Sequence, residues 1–366
     1  MKKICHLTSV HPPLDTRIFF KECQSLKDAG YDVSLIAPCS GDHPDQVTKN
    51  GIILIPFIKY KNRFKRILLS PFRMFSLARK QNADVYHYHD PELMITGLLL
   101  RLFTKAAVIY DIHEDYSKNF LDKPWIKYKF IRAVAARMFY WIEKTSCRFM
   151  SANIVVLPHW LDKYPKAVLV RNYPLSENLD QPKDEHLFVY VGTLGSKRSA
   201  IEMTEIFMEL EKMIPGIRFK IIGVFMERSV EEKVMKMIQT CPAIEYLGYQ
   251  PFNEAQKIVV QASYGFVLYS EIKYRENIPA KMYEYLANNV IPIFSSFDDF
   301  KYDVENEGWG IGVNPKNPLE AARHLYAILT NADKKQTLRQ NMNHYRPMYS
   351  WESEKSELLN LYRRLK

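Results

Sequence analysis

Short apolar runs alternate along this chain with stretches in which apolar residues recur every three or four positions. The runs at 4–10, 33–37, 52–57, 84–88 and 106–111 are too short for helices and read as buried strands. The helical period occupies 17–29, about 71–81 and 92–103, and a longer helix is expected at about 127–148. Two short strands follow at 154–157 and 167–170. A polar stretch from Tyr173 to Glu185, with Pro174 and Pro182 in it, breaks the rhythm and reads as a linker. The rhythm then resumes, with strands at 187–191, 218–222, 244–247, 264–269 and 290–293. The intervening helices are expected at about 200–213, 230–239, 253–261, 279–288 and 319–329. Three of these strands end at a glycine: Gly192, Gly223 and Gly248. Ser350 then caps an amphipathic tail that begins at Trp351.

Strands that alternate with helices form parallel sheets covered on both faces. The pattern therefore predicts an α/β chain of two Rossmann-like, doubly wound domains in tandem, 1–175 and 176–345, followed by a helical tail at 346–366. Ligands of such sheets lie beyond the carboxyl ends of the strands. The ligand site is accordingly expected in a central cleft between the two domains.

Composition supports this and narrows the setting. A chain of 366 residues exceeds one ordinary core, and 47% hydrophobic with 25% charged residues matches a soluble globular protein. Cys5, Cys23, Cys39, Cys147 and Cys241 are scattered without a C-x-x-C pair, which speaks for a reducing compartment and against a disulfide frame or a zinc ribbon. The apolar run at the N-terminus is too short for a signal peptide, and no segment approaches the roughly 20 apolar residues that span a bilayer. A cytoplasmic protein is expected.

The net charge of +10 is unevenly spread. From Lys59 to Lys80 basic residues mix with Phe64, Leu68, Phe72 and Phe75, with no acid among them. From Lys123 to Arg148 they mix with Trp125, Phe130, Phe139, Tyr140 and Trp141, against the single acid Glu143. Such mixtures suit the headgroups of an anionic membrane. An amphipathic helix whose apolar side is core gives the same pattern. Nucleic acid is the third reading, but no RNA- or DNA-binding signature accompanies the charge. The expectation is a protein peripheral on the inner face of the cell membrane, without a nucleic-acid partner.

The densest chemistry lies at Glu276-Asn277-Ile278-Pro279-Ala280-Lys281-Met282-Tyr283-Glu284. Proline suits the first position of a helix, where no amide hydrogen is needed. A helix starting there aims its free N–H groups and positive dipole end at whatever precedes it, which makes an anion site. Lys281 and Glu284, three apart, share one helical face. Lys281 adds charge toward a phosphate, and Glu284 can accept from two adjacent hydroxyls such as those of a ribose. Glu276 lies in the loop in front. A solvated helix face explains the same charges, so the motif alone does not choose. In the first half, Asp15 and Arg17 occupy the first strand-to-helix turn. Asp15 is a candidate to hold or deprotonate an acceptor hydroxyl, or else a helix cap. His87 and His89 alternate on one strand end and share a face, with Asp90 beside them, as an acceptor rim or as buried partners.

Taken in order, these features resemble the GT-B glycosyltransferases, in particular glycosyltransferase family 4. The resemblance covers nearly the whole chain. It rests on Glu276 and Glu284 with seven residues between them, and on Pro279-Ala280-Lys281-Met282-Tyr283-Glu284-Tyr285, which looks like a bacterial branch. It rests further on His11-Pro12-Pro13-Leu14-Asp15-Thr16-Arg17-Ile18-Phe19, on Asp84-Val85-Tyr86-His87-Tyr88-His89-Asp90-Pro91, on Ile109-Tyr110-Asp111-Ile112-His113-Glu114, and on the tail from Trp351.

The resemblance implies transfer of a sugar, with retention, from a UDP- or GDP-linked nucleotide sugar to a hydroxyl of a lipid-linked or glycan acceptor in bacterial surface polysaccharide synthesis. It implies that the tail helix crosses back onto the first domain. It places His113 against the transferred sugar as a catalytic residue, with Glu276 and Asp15. It places Ile278, Pro279, Ala280, Lys281 and Glu284 around the donor, and Gly248-Tyr249 near its base. Arg17, His87, His89 and Asp90 fall on the acceptor side. The family often has an Arg directly after the first strand-end glycine and a Lys-Gly pair later; here stand Thr193 and Lys197-Arg198-Ser199. That departure leaves open whether Lys197 or Arg198 meets the diphosphate, with Arg198 favoured. A metal at His87-His89-Asp90 is an alternative, but neither a metal nor a further cofactor is expected, because the GT-B fold holds the diphosphate without one, no D-x-D follows an apolar strand and Asp298-Asp299 reads as a loop pair. A nucleotide-sugar epimerase or hydrolase on the same fold, and a non-catalytic lipid-surface binding protein, are the alternatives.

Overall fold

The computed structural model of the protein describes residues 1–39, 46–58, 63–121, 128–175, 182–270, 279–296 and 303–365. The chain divides into two compact units. One is Met1–Asn172 together with Glu354–Lys366, the other Tyr173–Ser353.

The first unit is built on β1 (Lys3–Leu7), β2 (Asp32–Pro38), β3 (Val47–Lys49), β4 (Ile52–Phe57), β5 (Val85–Tyr88), β6 (Ala107–Ile112), β7 (Ala152–Val155) and β8 (Ala167–Leu169). Their order across the sheet is β3-β4-β2-β1-β5-β6-β7-β8. All neighbours run parallel except β3 with β4. The sequence did not announce β3, because Val47, Thr48 and Lys49 are all exposed and carry no apolar alternation. The register of β1 against β5 sets His6 opposite His87, so both rings stand on one face of the sheet.

The helix expected at 17–29 is not one α-helix. Thr16–Cys23 winds as a π-helix and Gln24–Asp28 continues it as α. The Phe20 N–H donates to Asp15 O, five residues back, at 3.3 Å. Winding at i→i+5 carries residues five apart onto one side, so Arg17 and Glu22 both point inward and both are buried. An α period sets them more than a third of a turn apart.

The helix expected from Pro71 runs instead over Arg63–Lys80 with Pro71 inside it. The Pro71 carbonyl accepts from Thr96 Oγ1 at 2.8 Å, a tertiary contact that local signals do not carry. The long helix spans Lys129–Phe149 and buries only Ala136, Glu143, Ser146 and Cys147. Phe130, Ile131, Val134, Met138, Trp141 and Ile142 are exposed, Phe130 at 77% and Trp141 at 54%. The tail helix, Trp351–Arg364, buries Glu354, Leu358, Leu361 and Tyr362. Its Glu354 carboxylate accepts from the Arg171 N–H at 2.8 Å and from Arg171 Nη1 at 2.9 Å. Among the described residues no helix is long and apolar enough to cross a membrane.

The second unit carries β9 (Asp184–Val191), β10 (Arg218–Ile222), β11 (Ile244–Gly248), β12 (Ala262–Val267), β13 (Ile291–Ser295) and β14 (Ile311–Val313). The order is β11-β10-β9-β12-β13-β14, parallel throughout. Its core is aromatic: Phe188 stacks with Tyr264 at 4.7 Å and meets Phe207 at 5.5 Å, all buried. Both sheets are thus doubly wound, the second parallel throughout and the first parallel except at β3, and each has its polar turns at the carboxyl ends of the strands.

Candidate functional site

In the second unit, β9 ends at Val191 and the chain turns through Gly192, whose φ is +142°. β10 ends one turn away at Gly223, φ +147°, and a Cβ there would lie 1.7 Å from the Gly192 carbonyl oxygen. Only glycine permits this approach. The turns are tied together: the Gly192 N–H donates to Ile222 O at 2.9 Å and the Gly223 N–H to Gly248 O at 2.8 Å. Beyond Gly192, Ser196–Arg198 forms a single 3-10 turn, Ser199 takes a left-handed conformation, and the helix Ala200–Met213 begins. Glu227 accepts from the Ser196 N–H at 3.0 Å and from its hydroxyl at 2.8 Å, which fixes the turn.

The helix Ala280–Ala287 is capped by Pro279, one residue later than expected. Its Lys281 reaches the Gly192 turn: a Cβ on Gly192 would stand 3.3 Å from Lys281 Nζ. The ammonium also lies 5.9 Å from the Tyr190 ring centroid. Burial lowers the Lys281 pKa, the nearby Arg198 charge lowers it further, and Glu284 opposes both. Arg198 stacks its guanidinium over the Tyr269 ring at 4.5 Å and donates to the Tyr269 hydroxyl. Two cations therefore lie together beside a strand-end turn, an arrangement that suits an anionic ligand. Thr193, Lys197, Tyr249 and Glu284 are exposed around it, and Gly248 is half-buried. Glu276 and Ile278 lie outside the described residues, as does Asp298-Asp299.

The first unit gathers its polar residues differently. Beyond β5, the Asp90 carboxylate accepts from Thr8 Oγ1 at 2.7 Å and from the Ser9 N–H at 2.6 Å. Arg17 grips Asp111 with both ends of its fork, Nε at 2.8 Å and Nη2 at 2.9 Å. Burial works against the Asp111 charge, but Arg17 together with hydrogen bonds from His113 and His89 outweighs it and holds the carboxyl well below its usual range. His89 Nδ1 lies 3.1 Å from the same carboxylate. His87 Nδ1 lies 2.8 Å from the Tyr362 hydroxyl of the tail helix. Arg17, His87, His89 and Asp90 are all buried, so the four residues expected at an acceptor rim form a packed interior network instead.

His11 and His113 are the more accessible members. Their Nε2 atoms are 3.2 Å apart, and His11 Nδ1 is 3.3 Å from Asp15. The other Asp15 oxygen caps the π-helix, accepting from the Arg17 and Ile18 N–H groups at 2.9 and 3.0 Å. Burial raises the Asp15 pKa, but the hydrogen bond from His11 and these two N–H groups outweigh it and hold the value at about 2. A carboxylate that acidic is a poor base at neutral pH. Cap and His11 partner are thus both roles of Asp15. His113 stands at the end of β6, half-buried, with Nδ1 3.5 Å from Asp111.

Sequence reading missed Glu22, His6 and Tyr362 as members of this network. Tyr362 is 275 positions from His87, and no local signal joins them. Glu22 is hidden by the π winding; only its five-residue spacing from Arg17 hints at the contact.

The family model "Glycosyltransferase Family 4" matches residues 17–167, and "Glycosyl transferases group 1" matches residues 174–345. No curated protein matches the sequence. Among solved structures, a sucrose-phosphate synthase from Thermosynechococcus elongatus is 17% identical with a TM-score of 0.71, covering 100% of this chain and 99% of that one. HepE from Anabaena in complex with UDP-glucose is 9% identical with a TM-score of 0.69, covering 99% and 100%. The catalytic domain of starch synthase IV from Arabidopsis thaliana, bound to ADP and acarbose, is 12% identical with a TM-score of 0.64, covering 100% and 99%. The two family models follow one another along the chain, each on one of the two parallel-sheet units, and the protein is a GT-B glycosyltransferase of the family 4 kind.

Proposed function

We propose that the protein transfers a sugar, with retention, from a nucleotide diphosphate sugar to a hydroxyl of a lipid-linked glycan in surface polysaccharide synthesis. The observation that carries the donor half is the convergence of Lys281 and Arg198 on the Gly192 turn. Breaking the anomeric C–O bond puts negative charge on the departing diphosphate, and placed cations and N–H donors stabilise it. Arg198, half-buried and braced by Tyr269, takes this role in preference to the exposed Lys197. Glu284 holds the ribose hydroxyls, Gly248 and Tyr249 border the base, and Glu276 meets the sugar. His113 contacts the transferred sugar. Asp15 orients the acceptor but does not deprotonate it, since its carboxylate is too weak a base. The acceptor oxygen bonds the anomeric carbon as the diphosphate leaves, and the hydroxyl proton passes to a leaving phosphate oxygen. Neither a metal at the diphosphate nor a further cofactor takes part.

The acceptor half rests on the helix Lys129–Phe149. Its large apolar side chains are exposed rather than built into the core, beside the exposed cations Lys129, Arg137 and Arg148. Apolar anchors among cations fit the headgroup layer of an anionic membrane.

Incubation with UDP- and GDP-sugars plus lipid-linked acceptors, reading release of nucleoside diphosphate, tests the reaction. Release with one donor and acceptor is the expected result. Full turnover of the donor without acceptor would make the protein a hydrolase or epimerase. Sedimentation with vesicles tests the membrane surface. Retention on anionic vesicles, lost in the Phe130→Ser/Trp141→Ser double variant, is expected, and equal behaviour of the two proteins refutes it.

A further inference from the structure

Inside the first unit His6, Glu22, His87 and His89 converge, every one of them fully buried. Glu22 Oε2 lies 3.9 Å from His6 Nδ1, 3.7 Å from His87 Nδ1 and 3.9 Å from His89 Nε2. His6 Nδ1 and His89 Nε2 are 3.0 Å apart. Neither Glu22 oxygen has a hydrogen-bond partner. Arg17 Nε lies 3.1 Å from Oε1, but its hydrogen is committed to Asp111. One guanidinium therefore serves two buried carboxylates. A buried carboxylate without donors costs several kcal/mol, and burial indeed pushes the Glu22 acid well above its usual range.

From this geometry we propose that the cluster is a binding site for a divalent first-row metal ion, best suited to zinc. His6 Nδ1, His89 Nε2 and Glu22 Oε2 form a triangle whose centre lies about 2.1 Å from each corner, the length of a zinc–nitrogen or zinc–oxygen bond. His87 Nδ1 closes a fourth position; the Tyr362 hydroxyl beside it turns its hydrogen aside when that nitrogen takes the ion. The outer support is in place. Asp111 accepts from His89 Nδ1, which leaves Nε2 as the free lone pair, and the Tyr362 hydroxyl lies 3.3 Å from His6 Nε2. A ligand histidine held by a carboxylate is the usual second layer of a metal site. The ion supplies the positive charge that Glu22 lacks. It ties β1, β5 and the π-helix together beneath the tail helix. It is structural, separate from the diphosphate.

Metal analysis of the full chain, purified without a histidine tag, tests this. About one zinc per chain is expected, with thermal unfolding several degrees lower after chelation and restored by added zinc. Cobalt in its place should give the intense visible absorption of a four-coordinate site. Glu22→Gln should lose the ion, while Tyr362→Phe, which removes no ligand, should keep it. If Glu22→Gln does not fold, the wild-type stoichiometry and the cobalt spectrum decide. Protein that holds no metal after zinc addition, or a weak six-coordinate cobalt spectrum, overturns the proposal and leaves a hydrogen-bonded cluster with Glu22 protonated.

Discussion

Both units end their parallel strands in polar residues, yet they treat those residues in opposite ways. Beyond β1, β5 and β6, charges are turned inward and matched to one another: Arg17 to Asp111, Asp90 to Thr8 and Ser9, His87 to Tyr362. Beyond β9 and β10 glycines shape the turn, the cations Lys281 and Arg198 are only partly covered, and Thr193 and Lys197 are exposed. Lys281 carries a lowered pKa and Glu284 stands exposed, so charge there is held ready for a ligand. An inward network holds a fold in one arrangement. An outward one waits for a partner of opposite sign. Polar density at strand ends therefore does not by itself mean a site for an external ligand; the exposure of the surrounding groups distinguishes the two cases.

The contrast can be broken most severely at Asp111. Asp111→Ala removes the carboxylate that the buried Arg17 grips with both ends of its fork, leaving it only Glu22, and should destabilise the first unit by up to about 3–5 kcal/mol, read by urea unfolding. Nucleoside diphosphate binding by the second unit should survive under native conditions. A loss below about 1 kcal/mol, the range of exposed pairs, would mean that the network is not holding the fold.

Lys281→Ala should do the reverse. Removing a charged hydrogen-bond partner is worth about 1.5–3 kcal/mol, so diphosphate affinity should fall roughly 10- to 100-fold by calorimetry. Unfolding should be unchanged or slightly later, because a desolvated ammonium has gone. Unaltered affinity would remove Lys281 from the donor site.

The same lysine gives the comparison a pH signature. Its pKa lies below the usual 10.5, so the free protein loses this charge earlier than an ordinary lysine does. A bound diphosphate, fully ionised above about pH 7, favours the charged form. Affinity should therefore be present at neutral pH and decline as pH rises through the lowered pKa, by at most about tenfold per pH unit. In Lys281→Arg the decline should vanish over this range, since arginine stays charged. A decline of the same size in the arginine variant assigns it to another group.

Glu284→Ala should have the smallest effect, about 1 kcal/mol or roughly fivefold in affinity. It should weaken a ribonucleotide and leave the 2′-deoxy analogue nearly unaffected. Equal losses for both would displace Glu284 from the ribose.

Much of this was legible along the chain. The strand-end glycines marked the turns of the second unit, and the Pro279 helix start was one residue off. Lys281 and Glu284 could be placed because their helix is regular and their spacing local. The acceptor-side expectation for Arg17, His87, His89 and Asp90 met a different outcome. Their spacing correctly put His87 and His89 on one face, and their rings stack at 4.5 Å. Spacing does not say whether that face meets water. Tyr362 and Glu22 close over it, and neither approach follows from neighbours in sequence.

The sequence by itself determined the architecture, because strand and helix periods, turn glycines and the polar break at 173–185 are local properties of the chain. It also pointed to the family, through short motifs such as Glu276 to Glu284 that are read along the chain. Only the tertiary structure decided which charges are buried and which are offered. Desolvation and pairing depend on groups brought together from distant segments, and a π-helical turn and a C-terminal tyrosine settled them in the first unit.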